Sequence, residues 1–420
     1  RETMPPKVVF EVDLTKPWPE QPVPGHNRWH PDIPPVASVK PGEVFRVECQ
    51  EWTDGQIRND DSANDIRDVD LTRNHVLSGP IEIEGAEPGD LLIVDILDLG
   101  PFPHGTKTPH NSPTTEWGYT GIFAKVNGGG FLTDYFPDAY KAIWDLHGTM
   151  CTSRHLPGVR FVGIAHPGLI GCAPSHELLR EWNRREAELI ATDPNRVPPL
   201  ALPPLEKNAV LGTLKGPEFE RAAREAARTI PPREHGGNCD IKNLTRGSRC
   251  YFPVYVPGAK LSMGDLHFSQ GDGEITFCGA IEMAGYIDLH VDLIKGGVEK
   301  YGISNPIFRA SPYEPRYTNY LVFEGISVDE KTGKQLYLDA TVAMRRACLN
   351  AIEYLKKFGY TAEQAYIILG SAPIEVRISG IVDIPNACVT LYLPTEIFER
   401  NILPEEPPTA PTSGQVARAG

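Results

Sequence analysis

Leu91-Leu92-Ile93-Val94-Asp95-Ile96-Leu97 is an apolar run broken once by an acid, preceded by Gly89-Asp90 and followed by Asp98-Leu99-Gly100. Its length and β-branched content suit a strand, and it falls far short of the roughly 18 apolar residues a membrane helix needs. Because the run is continuous rather than alternating, it is expected in a sheet covered on both faces. Val44-Phe45-Arg46-Val47 is a second strand candidate, and similar short runs separated by Pro, Gly and Asp fill Val8 to Asp98. The 420 residues include 39 Gly and 40 Pro, more than the usual combined share of about 12%. Turns and short extended segments should therefore outnumber long helices, and the expected fold class is mainly β.

Helices enter as insertions. Ser175-His176-Glu177-Leu178-Leu179-Arg180-Glu181 opens a helical patch with Leu178, Trp182 and Leu189 at compatible spacing, and Ser175 is placed to cap it. Pro-rich residues 197 to 206 break it, Gly216 to Arg228 resumes a charged helical pattern, and 175–232 reads as a surface excursion from the sheet. The strongest helix signal runs from Tyr337 to Lys357, with Tyr337, Thr341, Met344, Cys348, Ile352 and Leu355 on one stripe and Gly359 as the stop. Residues 101 to 140, with Pro101-Phe102-Pro103-His104 and Gly128-Gly129-Gly130, read as long loops near a site. The chain is expected to be one catalytic domain over 1–403, followed by a Pro-rich tail or subunit arm over 404–420.

The net charge of −14 repels nucleic acid and anionic membrane surfaces, so neither is an expected partner. The opening Arg1-Glu2-Thr3-Met4-Pro5-Pro6-Lys7 lacks the apolar stretch of a signal peptide. The eight cysteines are scattered without CxxC spacing. They read as reduced, mostly buried thiols, and the expected location is the cytoplasm.

Chemistry concentrates between His235 and Glu282. If residues 265 to 268 of Leu261-Ser262-Met263-Gly264-Asp265-Leu266-His267-Phe268 are extended, Asp265 and His267 share one face. The Asp-Gly turn signal in Ser269-Gln270-Gly271-Asp272-Gly273-Glu274, followed by strand-like Ile275 to Cys278, folds Glu274 back towards His267, and Asp272 stands two residues before Glu274. Acids gathered so closely repel unless a cation or shared protons intervene. Imidazole and carboxylate ligands suit a divalent metal such as zinc. The alternative is a solvated polar turn.

Upstream, His235-Gly236-Gly237-Asn238-Cys239-Asp240 offers Gly236 and Gly237 for close backbone approach, N–H donors for an oxyanion, and an amide and acid beside them. It also reads as a loop between domains. His75, in Asn74-His75-Val76-Leu77, is a further ligand candidate or a structural loop histidine. Cys239 invites a nucleophile reading, as in the thiol amidases of the unrelated nitrilase superfamily, although Asp240 and Glu234 act against a thiolate.

Three segments together resemble the acetamidase/formamidase family: Gly79-Pro80-Ile81-Glu82-Ile83-Glu84-Gly85-Ala86-Glu87-Pro88-Gly89-Asp90, Gly236 to Asp240, and Gly264 to Glu274. Trp117-Gly118-Tyr119-Thr120-Gly121-Ile122-Phe123 and Phe277 to Met283 are similar to its longer formamidase branch, and the likeness spans Val8 to Arg400. The resemblance implies a β-sandwich-like fold, hydrolysis of formamide or a close homologue, a homo-oligomer and dependence on a divalent metal. The shorter relatives vary at Cys239 and often lack the histidine of His166-Pro167-Gly168, which counts against an essential role for either residue.

The expected mechanism has Asp265 and His267, with Asp240 or His75, holding a zinc-like ion. Glu274 moves the proton with Asp272 beside it, and Asn238 and the N–H groups after Gly236 stabilise the oxyanion. Trp117, Tyr119 and Phe123 are expected around the substrate. The competing readings are a thiol amidase using Cys239 and a non-catalytic β-sandwich binding protein.

Overall fold

The computed structural model describes residues 4–107, 116–193 and 203–404. The proposed tail beyond Pro404 lies outside the described residues. Strand Leu91–Pro101 lies inside a six-stranded sheet, between Gly285–Ile294 and Arg249–Pro253. Val44–Cys49 and Lys7–Phe10 extend the sheet on one side and Ile307–Arg309 on the other. A larger sheet runs in the order Gly236–Asn238, His166–Cys172, Leu261–Gln270, Phe277–Glu282, Trp117–Ile122, Tyr140–His147, Met150–Thr152 and Arg160–Val162. Ser78–Ile83 also pairs with Leu261–Gln270 and carries Ala37–Val39 on its far side.

The two sheets face each other as a sandwich. Val94, Ile96, Leu99, Ile287 and Leu289 of one join Ile81, Met263, Leu266 and Ile281 of the other in a single buried cluster. Each such side chain contributes about 1.5–3 kcal/mol by leaving water. The smaller sheet is covered on one face only, contrary to the reading of its central run. Leu97 is 45% exposed, and the outer face carries ion pairs, Asp95 with Arg249 at 2.6 Å and Arg46 with Asp288 at 2.7 Å. Asp95 is the residue that betrays this wet face.

Residues 101 to 140 are not all loop, because Trp117–Ile122 is an interior strand of the large sheet. Its glycines mark close packing: a Cβ at Gly118 would lie 2.6 Å from the Glu282 carbonyl oxygen, and one at Gly121 2.8 Å from Ile66. The 175–232 excursion forms helices His176–Thr192 and Gly216–Glu225. Ser175 accepts from the Leu178 N–H as N-cap, and Leu179 and Trp182 are buried while Leu189 is exposed. The excursion is more than surface, since its last residues enter the protein: Arg228 and Thr229 are fully buried.

The long C-terminal helix is Ala340–Lys356, shorter at its start than expected. Leu338 has a left-handed φ of 46° and Asp339 caps the helix through the Val342 N–H, which leaves Tyr337 outside and exposed. The helix packs on a three-stranded sheet of Tyr320–Ile326, Cys388–Pro394 and Glu375–Gly380. A Cβ on Gly325 would lie 2.1 Å from the Ala343 carbonyl oxygen. A second helix, Ala362–Ser371, was not anticipated. It is nucleated by a Thr361/Gln364 capping box and wedges between the first helix and the large sheet. No helix among the described residues is long and apolar enough to cross a membrane.

Candidate active site

The site forms where one strand changes partner. Leu261–Gln270 pairs with Ser78–Ile83 up to Met263, opposite Ser78, and with Phe277–Glu282 from His267, opposite Glu282. Between these pairings lies Asp265, with a left-handed φ of 53°. It is therefore not in the extended conformation the sequence reading assumed, but its carboxylate still meets His267. On the strand's other edge the ladder keeps its register but is interrupted at the same place, between Pro167 opposite Leu266 and Leu169 opposite Gly264. Gly168 fills the gap, and a Cβ there would lie 2.6 Å from both Asp265 Oδ2 and His267 Cε1.

A cavity of about 340 Å³ opens over this point, lined by Trp52, Asn74, His75, Ile230, Asn238, Cys239, Asp240, Asp265, Glu274, Phe277 and Glu282 among others. His267 lies behind the Asp265 and Glu282 lining, fully buried, with Nε2 3.2 Å from Asp265 Oδ1 and 3.1 Å from Glu282 Oε2. His166 sets the tautomer. Its Nδ1–H donates to the Ile164 carbonyl at 2.7 Å, so its Nε2 accepts from the His267 Nδ1–H at 3.1 Å, which Gln270 Oε1 shares at 3.0 Å. Nε2 therefore faces the two acids, and it is the nitrogen that takes up a proton or, in the neutral ring, offers a lone pair there. His267 Nε2 and Glu282 Oε2 are buried and in ion-pair contact, although the pair falls short of hydrogen-bond geometry.

Glu274 reaches the same place from the turn. The turn is held by Gly271 N–H to the Gly370 carbonyl at 2.7 Å and Asp272 N–H to that of Ile374 at 3.0 Å, both at the end of the unanticipated helix. Asp265, His267 and Glu282 form one set of potential metal ligands, and Asp240, His267 and Glu274 a second. Burial pushes the Glu274 carboxyl up to about 8. Burial and then Glu274 push Asp240 well above the carboxylate range, and burial raises Glu282 likewise. Burial also opposes charge on Asp265 and His267, yet their attraction prevails: His267 and His75 lower Asp265, while Glu282 and Asp265 raise His267.

Several expected residues take other parts. His75 lines the cavity; its Nδ1 and backbone N–H both contact Thr229 Oγ1 at 2.8 Å, and its Nε2 lies 3.8 Å from Asp265 Oδ2. His75 thus stands beside Asp265 in the cavity, but outside the two sets of potential ligands that centre on His267. Asp272 turns away to pair with Lys242 at 3.1 Å and accept the Val376 N–H at 3.0 Å.

Gly236 and Gly237 line a separate apolar cavity of about 140 Å³ behind Cys239. The N–H groups of Gly236, Cys239 and Asp240 donate to backbone carbonyls and are not free for an oxyanion. Asn238 spends an Nδ2 hydrogen on the Ile230 carbonyl at 2.9 Å. Tyr119 is buried beneath the site and donates to Glu51 at 2.8 Å, with Trp117 and Phe123 in the same apolar cluster. Cys239 borders the cavity as an exposed residue, yet the partial enclosure of its thiol and then Asp240 push it up to about 11, and Sγ–H donates to the Gly236 carbonyl. Glu282, His166 and Gln270 were missed as site residues.

The profile of the Acetamidase/Formamidase family matches residues 11–400. The chain is 66% identical to a formamidase of Methylophilus methylotrophus over 95% of each chain. It is 67% identical to an acetamidase of Mycolicibacterium smegmatis over 88% of this chain and 91% of that one. Among solved structures, a gamma lactamase from Delftia acidovorans superposes with a TM-score of 0.90 at 60% identity, over 95% of both chains. The sandwich, the segments that meet at His267 and this likeness across nearly the whole length agree: the chain belongs to the acetamidase/formamidase family.

Proposed function

We propose that this chain hydrolyses formamide, and other short aliphatic amides more weakly, to the carboxylate and ammonia, with water made nucleophilic at a divalent-metal centre. Family membership and 66% identity to a formamidase support the reaction. The observation that carries the metal centre is the buried cluster itself, with His267 Nε2 3.2 Å from Asp265 Oδ1 and 3.1 Å from Glu282 Oε2. A dication would take the place of the proton on His267 and neutralise both carboxylates, where a single proton offsets only one.

Asp265, His267 and Glu282 would hold the ion, and zinc suits that donor set. When bound it supplies a Lewis acid that polarises a carbonyl and lets water attack near neutral pH. The remaining work falls to the chain. Glu274, near 8, populates both protonation states around neutrality. It takes the proton of the attacking water and returns it to the departing nitrogen, the balance a general acid–base group needs. Asp240 shares that proton by its hydrogen bond to Glu274. Trp52, Phe277 and Ile230 supply apolar wall that keeps bulk water from the reacting amide. The raised Cys239 thiol stays protonated near neutrality and disfavours a thiol mechanism.

The reading includes a cytoplasmic homo-oligomer, in keeping with eight unpaired cysteines and with exposed Val322, Ile326 and Ile378 on the three-stranded sheet. Ammonia release from formamide and acetamide, and release of the ring-opened amino acid from a γ-lactam, with and without chelator, tests the proposal. Formamide should be the best substrate, chelation should abolish release and zinc or another divalent ion restore it, and Cys239→Ala should remain active. Absence of ammonia from every short amide would sink the reaction, and full activity after exhaustive chelation would sink the metal centre.

A further inference from the structure

The cavity holds polar groups that the mechanism leaves idle. Asn74 is 1% exposed, and neither Nδ2 nor Oδ1 has a hydrogen-bond partner. Trp52 is 4% exposed, and its indole Nε1–H is likewise unpartnered. Both line the same cavity as Asp265, Glu274 and Glu282. Buried polar groups are almost always hydrogen-bonded, so such side chains at a site call for a ligand that completes them.

Both are also held in place. The Val76 N–H donates to the Trp52 carbonyl at 3.4 Å, the Trp52 ring lies 5.5 Å from that of His75, and an Arg28 guanidinium N–H donates to the Asn74 carbonyl at 3.5 Å. Groups fixed before the ligand arrives lose little freedom on binding it.

We propose that Asn74 and Trp52 grip the substrate amide: the Asn74 carboxamide pairs with the carbonyl oxygen and the adjoining N–H of an amide unsubstituted on that edge, while the Trp52 indole donates to the same oxygen. A carboxamide is the hydrogen-bonding complement of a primary amide, offering N–H to its C=O and C=O to its N–H. The pairing rests on the amidase reading above and assigns its specificity. Open-chain N-alkyl amides are overwhelmingly trans, which puts the alkyl group on the edge that Asn74 would read. A five-membered lactam, locked cis, presents the same carbonyl and N–H edge as formamide.

The test compares the wild type with N74A, N74D and W52F by steady-state ammonia release from formamide, and uses 2-pyrrolidinone and N-methylformamide as competitors. Loss of a donor to a developing oxyanion lowers turnover by about 100-fold or more, and that loss in kcat/KM is expected for both Asn74 variants. W52F keeps an aromatic ring but removes the indole donor and should lose about tenfold. The lactam should compete with formamide where N-methylformamide does not, and N74A should abolish this discrimination while its thermal melt stays close to that of the wild type. A merely structural Asn74 would weaken both competitors equally, which overturns the proposal.

Asn74 variants within threefold of the wild type overturn it as well, as does N-methylformamide competing as strongly as the lactam. If N74D fails to fold, N74A and the competitor comparison on the wild type still decide. A wild-type enzyme that releases no ammonia from formamide removes the amidase reading itself, and this assignment with it.

Discussion

Gly168→Ala is the sharpest test of how the fold holds its acids. Gly168 stands opposite Asp265, where the ladder of strand His166–Cys172 is interrupted without a change of register, and its φ lies outside the left-handed region, so alanine meets no torsional objection there. The obstacle is contact. The new Cβ would lie 2.6 Å from Asp265 Oδ2, 2.6 Å from His267 Cε1 and 2.8 Å from the Asp265 carbonyl oxygen. Ordinary van der Waals contact begins near 3.4 Å, so the carboxylate and the imidazole must each recede by about 0.8 Å or the strands must part.

Overpacking of this kind costs about 1–3 kcal/mol of stability. A misplacement near 1 Å at a reacting centre costs about 100-fold in rate. The expected variant is folded, melts a few degrees lower, and has kcat/KM for formamide down by about two orders of magnitude. Gly100→Ala is the control, because its Cβ would meet only the Tyr286 hydroxyl at 3.8 Å. Ammonia release and thermal melts of both variants suffice. A Gly168→Ala enzyme within threefold of wild-type kcat/KM would refute the claim that Asp265 and His267 do their work in that narrow geometry.

Three further outcomes follow from the same geometry. Glu274→Gln keeps the shape of the turn but removes the proton carrier, and kcat for formamide should fall by about 10²–10⁴-fold without loss of fold. A fall of less than tenfold would assign the proton step elsewhere. Asp272→Asn breaks the pair with Lys242 on the far side of that turn. It should cost about 1 kcal/mol of stability and leave kcat/KM within threefold, whereas a hundredfold loss would restore the catalytic role expected from sequence.

The third outcome concerns acid. Burial holds His26 down to about 4 and His235 well below its ordinary 6.5. The unfolded chain therefore binds protons that the folded chain refuses, and stability is lost as pH falls below about 6.5, by about 3 kcal/mol for His26 alone at pH 4. His235 packs against Trp29 and Trp182 with both ring nitrogens unpartnered. His235→Phe should thus flatten the decline in urea-unfolding stability between pH 7.5 and 5, and an unchanged slope would count against this account.

What could be read from the sequence was what lies close along the chain. Asp265, His267 and Glu274 fall within one hairpin, so a turn signal and a period of two were enough to gather them. The same alternation misplaced Asp272, because the turn is not extended there: Gly273 and Glu274 have φ of 93° and 46°, which sends neighbouring acids in opposite directions. Glu282 faces His267 across the hairpin, but between that pair and Gln270 opposite Ala280 the register slips by one residue. A slip of one exchanges the two faces of a strand, so counting outward from the turn would have aimed Glu282 away from the site.

The helix Ala362–Ser371 escaped notice because it is buried almost all round and shows no polar stripe. Trp52, Asn74 and His166 come from distant segments that only the sandwich brings over His267, and no local pattern marks them. The sequence thus reveals charges that attract a cation more readily than the uncharged donors that receive a substrate. An acid stands out wherever it is buried, whereas an asparagine becomes conspicuous only when the folded chain leaves it without a partner.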